Sequence, residues 1–228
     1  VMVNVAAAEA TYVEAGKEML RMRLVVGDLA HKTPLFQWAV DSVVFNPPWN
    51  VPASIARNEI LPKARRDRGY LARNRFSYVG GQLRQAPGAG NSLGRIKLDF
   101  DSPFGVYLHD TPTRSAFAQT QRALSHGCMR MEMPRELALL LLRPQGWSAA
   151  EVDKAVAAGT TRRVALAERV PIFVTYQTAW VAADGAVAFR PDVYGWDAKL
   201  AEALRPRPAV AAVEPTSDSD CAAVGGSG

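Results

Sequence analysis

The sequence predicts a mainly β fold with inserted and C-terminal helices. Three observations carry this expectation. Short segments rich in β-branched and aromatic residues recur along the chain, turn sequences such as Ala15-Gly16 and Asp184-Gly185 punctuate them, and helix-start signals gather in two blocks only, around Pro52 and from Pro134 onward.

Taken in order, Val1 to Tyr12 and Glu18 to Val26 read as two strands joined by the turn Glu14-Ala15-Gly16-Lys17. Leu35 to Phe45 reads as a third, ending at Asn46-Pro47-Pro48-Trp49-Asn50, where two prolines forbid helix and favour an extended corner. Asn50 is expected to cap a helix with Pro52 in its first turn, running to about Ile60, and Pro62 to start a second helix that Gly69 stops. Gly80 to Gly94 carries five glycines and one proline. It looks superficially like a phosphate loop, but Arg95 and Ile96 stand where such a loop needs Lys and Ser or Thr, so the segment is read as the rim of a cleft. Ile96 to Phe100 resumes strand character. In Val106-Tyr107-Leu108-His109 the alternation points Tyr107 and His109 to one face and Val106 and Leu108 to the other. Pro134 to Leu142 and Ser148 to Ala158 read as helices, the second with Ser148 and Glu151 as a capping box. Val170 to Val181 and Val187 to Phe189 form a hairpin. One domain, residues 1–204, with a helical and loop insertion at 48–94 and a disordered tail at 205–228, is the simplest organisation.

Composition narrows the function classes. The 27 basic and 22 acidic residues leave a net charge of +5, too modest and too scattered for a nucleic-acid partner, and Lys63-Ala64-Arg65-Arg66 reads as a solvated helix face. No apolar run is long enough to span a membrane. Val1 to Ala10 lacks the features of a secretory signal, which fits a mature or excised catalytic portion of something longer. Cys128 and Cys221 are expected as free thiols, because a disulfide would tie the first to a tail rich in Ser, Asp, Ala and Gly.

The segment Ser125-His126-Gly127-Cys128 is the chemical signal. A thiol is a strong nucleophile as thiolate, and an imidazole within hydrogen-bond reach is the commonest way to make one. Gly127 permits backbone conformations that other residues avoid, and Ser125, His126 and Arg130 are flanks that a buried apolar strand would not choose. Acyl transfer through Cys128 is the resulting expectation. His109 and His126 both compete for the role of base, since a residue two before the thiol shares its face on an extended strand, and spacing does not choose between them. Tyr107, on the face of His109, can donate its hydroxyl to a developing oxyanion beside backbone N–H groups near Gly127 and Cys128, a donor worth roughly 3 kcal/mol. Arg130, two beyond Cys128, can bind a carboxylate with its planar fork. Asp110, adjacent to His109, points away on a strand, so a backbone carbonyl is expected to orient the ring. His31 is read as exposed and uninvolved. A metal site from His109, His126 and Cys128 lacks a fourth ligand, and neither metal nor cofactor is expected.

These residues resemble the L,D-transpeptidase catalytic domain, or YkuD, family of bacterial peptidoglycan enzymes, whose signature joins an upstream His to Ser or Thr, His, Gly, Cys, an apolar residue and Asn or Arg. Here that is His109, then Ser125-His126-Gly127-Cys128-Met129-Arg130. Val25-Val26-Gly27, Thr33-Pro34, Asn46-Pro47-Pro48-Trp49-Asn50-Val51-Pro52, Gln85-Ala86-Pro87-Gly88, Asn91-Ser92-Leu93-Gly94 and Tyr107-Leu108-His109-Asp110-Thr111-Pro112 look like its YcbB-like branch over residues 3–197. The short Tyr70 to Leu83 stretch departs from that branch and implies a reduced substrate-capping lid, and no peptidoglycan-binding module accompanies the chain.

The resemblance implies a β-sandwich-like fold, a periplasmic or cell-envelope location, monomeric behaviour, and peptidoglycan stem peptides as partners, with a tetrapeptide donor and a diaminopimelate amine as acceptor. It implies Cys128 as nucleophile, His109 as base, His126 in support with Tyr107 and Gly127, Ser125 and Arg130 as substrate-binding residues, and a product crosslinked between the third residues of two stems. Water as acceptor, giving an L,D-carboxypeptidase, and a non-catalytic wall-binding module are the competing readings.

Overall fold

The computed structural model describes residues 1–182 and 184–205. Two units are distinguished, Val1–Tyr194 and one that begins at Gly195. Within the first lie β1 (Met2–Asn4), β2 (Glu9–Glu14), β3 (Lys17–Gly27), β4 (Phe36–Phe45), β5 (Trp49–Asn50), β6 (Phe76–Val79), β7 (Gln82–Gln85), β8 (Ile96–Asp99), β9 (Leu108–His109), β10 (Ala123–Ser125), β11 (Met129–Met131), β12 (Arg162–Thr175), β13 (Ala179–Val181) and β14 (Val187–Phe189). The helices are α1 (Ala53–Ile55), α2 (Leu61–Arg66), α3 (Tyr70–Arg73), α4 (Pro134–Leu142) and α5 (Ala149–Ala157); α6 (Asp197–Ala203), unforeseen in the sequence, belongs to the second unit. Cys221 and the expected tail beyond Arg205 lie outside the described residues.

The fold is mainly β. Nine strands form one mostly antiparallel sheet in the order β10-β3-β11-β9-β8-β4-β12-β1-β2, and β2 also pairs with β3, so the sheet returns on itself around its apolar interior. Phe45, Leu24, Leu98, Leu108, Met129, Met131 and Ile172 are fully buried there, and α4 adds Leu137 and Leu142. Leu108→Ala removes the core side chain directly behind His109. It should lower stability by about 2–5 kcal/mol, read as a lower urea midpoint with an unchanged slope.

Several expected boundaries move. Val1 to Tyr12 is two strands, not one: the chain turns at residues 5–8, with Ala8 at φ 49. β1 runs parallel to β12 while β2 runs antiparallel to β3. An all-apolar turn, Val5-Ala6-Ala7-Ala8, carries no punctuation, and its burial explains why. The turn after β2 is as expected, with Ala15 at φ 49 and Gly16 at φ 76, the two positive values a tight hairpin requires. Asn50 is not a helix cap. It pairs with Arg84 in β5, and Pro52 stands at the helix start. The helix then runs through Pro62 by way of a π-turn, Ala56–Ile60, in which Leu61 N–H reaches the carbonyl of Ala56. Proline supplies no N–H and crowds the preceding turn, so a widened turn is the geometry that keeps the helix going. β12 begins at Arg162, well before Val170, with a bulge between Ala165 and Val170 that broke the expected alternation. The capping box of Ser148 and Glu151 is present.

Trp49, Val51, Ile60, Phe76, Leu83 and Leu93, on and around the small sheet β5-β7-β6, pack into a core of their own within the segment read from the sequence as an insertion. Two buried amides hold its glycine-rich end. Gln85 donates to the carbonyls of Asn74 and Gly90 and accepts from Ser92 N–H, while Asn91 donates to the carbonyls of Gln85 and Ala86 and accepts from Leu93 N–H. This satisfies the backbone of a loop too irregular to satisfy itself.

Candidate active site

β9 and β11 run parallel, with His109 opposite Arg130 and Leu108 opposite Met129. Strand alternation then sends Leu108 and Met129 into the core, both fully buried, and Tyr107, His109, Cys128 and Arg130 to the opposite face. These four line one cavity of about 440 Å³ together with Ser125 and His126, and its far wall is Trp49, Glu59, Lys63, Phe76 and Leu93 of the insertion.

His109 is buried, and its Nδ1 lies 2.5 Å from the carbonyl oxygen of Asp110. That contact assigns the proton of the neutral ring to Nδ1 and leaves Nε2 as the acceptor. Burial disfavours the imidazolium and pushes its pKa down to about 3; Arg130 and Lys97 push the same way, against the Asp110 and Leu93 carbonyls. The carboxylate of Asp110 accepts from the N–H groups of Arg95 (2.8 Å) and Thr111 (2.7 Å). Gly94, at φ +64, makes room for it: a Cβ there would sit 2.4 Å from the carboxyl group.

Burial pushes the Cys128 thiol up, opposed by the Tyr107 N–H and the charges of Lys97 and Arg130. Burial thus disfavours both the thiolate of Cys128 and the imidazolium of His109. Among the described residues no hydrogen bond joins Sγ to either imidazole.

The loop before Cys128 consumes its own polar groups. Ser125 Oγ donates to the Cys128 carbonyl (2.6 Å) and accepts from Gly127 N–H (3.2 Å), so neither that hydroxyl nor that N–H is left for a ligand. Gly127 has φ +102, which breaks the extended geometry from which a shared face for His126 and Cys128 was inferred. His126 Nε2 instead lies 2.8 Å from Glu59 Oε1, and its ring is 4.5 Å from that of His31, which pairs with Asp28 at 3.0 Å. His31, read from the sequence as exposed and uninvolved, is exposed, and its ring lies tilted at 48° against that of His126.

The half-buried guanidinium of Arg130 makes no hydrogen bond or ion pair among the described residues, with Glu59 as a nearby opposite charge, so its fork is available to an anion in the cavity. Tyr107 packs against the insertion core, and burial with the nearby Cys128 and Asp99 charges raises its hydroxyl pKa well above the ordinary value. Sequence reasoning missed Lys97 and Glu59. Lys97 pairs across the sheet with His109, its Nζ 4.3 Å from the Tyr107 ring centroid and 2.9 Å from Asp99. The available signal was a lysine at a facing position in a short apolar strand. Among the described residues no cluster of His, Cys, Asp and Glu is arranged to hold a metal, and no helix is long and apolar enough to cross a membrane.

The β scaffold turns a thiol, an imidazole and a guanidinium onto one cavity. The profile of the L,D-transpeptidase catalytic domain matches residues 1–164, and the chain belongs to that family of acyltransferase-type enzymes, which act on peptidoglycan. A Haemophilus influenzae protein provisionally named as an L,D-transpeptidase is 31% identical over 221 residues, covering 88% of this chain and 45% of the relative, so the chain spans under half the length of that relative. Among solved structures, an L,D-transpeptidase from Mycobacterium smegmatis shares 15% identity over 76% of this chain and 57% of its own, with a TM-score of 0.41. The Ldtfm–avibactam carbamoyl enzyme shares 13% identity over 77% and 48%, with a TM-score of 0.40.

Proposed function

We propose that this chain is the catalytic domain of a peptidoglycan L,D-transpeptidase of the YcbB-like branch, acting in the periplasm as a monomer and forming 3–3 crosslinks. The observation that carries the reading is the common face of Cys128, His109 and the unpaired Arg130 on a cavity roomy enough for a peptide. His109 Nε2 takes the thiol proton as Sγ attacks the carbonyl of the third donor residue. The imidazolium returns it to the departing amine, terminal D-alanine leaves, and a thioester remains. The diaminopimelate amine of a second stem then attacks that thioester, His109 accepts its proton, and the thiolate departs and is reprotonated. The Tyr107 hydroxyl and the Cys128 N–H stabilise the oxyanion, with Gly127 contributing the backbone conformation. Arg130 binds a stem carboxylate. Ser125 acts by fixing the loop that substrate lies against, and His126 supports the cleft through Glu59. The domain is residues 1–204, with residues 48–94 serving as a reduced lid.

Incubating the protein with disaccharide-tetrapeptide, then separating products by mass, tests this. Expected is a crosslinked dimer lacking one D-alanine, and a gain of one drug mass on exposure to a carbapenem. Tripeptide alone would assign water as the acceptor, and neither product nor adduct would refute the reading. Lys97→Met should slow iodoacetamide alkylation of Cys128 near neutral pH and move the midpoint of its pH–rate profile upward by roughly half to one pH unit, because a cation favouring the thiolate has gone.

A further inference from the structure

Behind the Cys128 loop, on the side away from the cavity, lies a hydrogen-bonded brace that the reaction does not call upon directly. Thr33 is completely buried. Its Oγ1 donates to the Gly127 carbonyl (2.9 Å) and accepts from Gly27 N–H (2.9 Å). Its own N–H donates to the Tyr194 hydroxyl (3.1 Å), which donates in turn to the Gly27 carbonyl (2.6 Å). Tyr194 is buried, stacked on Tyr176 at 5.3 Å, and its N–H donates to the Tyr176 hydroxyl at 2.8 Å. The segment folds back so closely that a Cβ on Gly27 would meet the His31 carbonyl at 2.1 Å and Thr33 N at 2.6 Å. Nothing in this brace lines the cavity, yet it ends on one atom of the catalytic loop.

That atom matters because a trans peptide is planar and its C=O and N–H point in opposite directions. Holding the Gly127 carbonyl back toward Thr33 directs the N–H of the same peptide unit, which belongs to Cys128, forward. Gly127 at φ +102 permits the rotation. The Gly127 N–H is already spent on Ser125, which leaves the Cys128 N–H as the loop's backbone donor. We propose that Thr33 is a positioning residue that aims the Cys128 N–H at the oxyanion through the Gly127 carbonyl, with Tyr194 as its outer support. The inference rests on the acyl-transfer reading of the site.

Two reactions of one thiol test it. Alkylation by iodoacetamide builds no oxyanion, whereas acylation by a carbapenem does. Thr33→Val keeps the shape and removes the donor. It should slow acylation by about 10-fold or more with alkylation within about twofold of the parent, and Thr33→Ser should restore acylation, since an oxyanion donor lost outright is worth roughly 10²–10³. Tyr194→Phe, which keeps the ring stack, should give the same pattern at smaller size and decides the matter should the valine variant not fold. Unchanged acylation, or acylation and alkylation falling together, overturns the proposal while leaving the acyl-enzyme reading intact. A parent that alkylates but never acylates overturns both.

Discussion

Cys128→Ala is expected to abolish transpeptidation and carbapenem adduct formation, a loss of about 10³-fold or more, while the protein stays folded. Removing a covalent nucleophile leaves only binding and the oxyanion donors, which do not replace the two-step route through a thioester. The fold tolerates the change because Sγ enters no hydrogen bond with either imidazole, and neighbouring Met129 and Leu108 supply the packing. Cys128→Ser should be nearly as inactive. A serine hydroxyl is far more weakly acidic than a thiol, and burial disfavours its anion as well. Intact-mass spectrometry before and after carbapenem reads the adduct, and thermal unfolding reads the fold. A drug-sized mass gain on the alanine variant would place the reactive group elsewhere and remove the basis of the mechanism.

The sequence made the strands of the closed sheet legible wherever turn chemistry marked them: Ala15-Gly16 ends one hairpin arm, and Ser148 with Glu151 starts a helix, each by a local mechanism that works regardless of the rest of the fold. It was silent where tertiary packing overrules local preference. The turn at Ala8 is built from residues that elsewhere make strands, and Asn50 forgoes capping because pairing with β7 satisfies its backbone. The site divides in the same way. Alternation placed Tyr107 with His109, and Cys128 with Arg130, but only the parallel register of β9 and β11 brings the two pairs together. Glu59 and Lys97 reach the site across the cleft and across the sheet, and Thr33 acts from behind it through a carbonyl. Such contacts span long sequence separations and leave no spacing to read.

The sequence alone suggests a thiolate prepared in advance by a nearby imidazole. In the folded chain burial disfavours both ions, while the charges of Lys97 and Arg130 favour the thiolate.

His109→Gln is expected to lower acylation by about 10²–10⁴-fold, the usual worth of a positioned general base. It should also change acid stability in a way that no loss of catalysis would produce. The imidazole is held neutral in the folded protein, with its pKa pushed down to about 3, whereas an unfolded chain binds the proton near pH 6.5. Between those limits the unfolded state carries the extra proton, so stability rises with pH through the window and is lost on acidification, by at most about 1.4 kcal/mol per pH unit. The glutamine variant cannot bind that proton in either state. Its urea midpoint should therefore fall less steeply than the parent's between pH 6 and pH 4, although at pH 7 the parent, with its ring bonded to the Asp110 carbonyl, is the more stable of the two. Parallel curves would mean that His109 takes up its proton in the folded state as easily as in the unfolded one. The ring would then be open to water, and a neutral base enclosed beside the thiol would no longer describe the site.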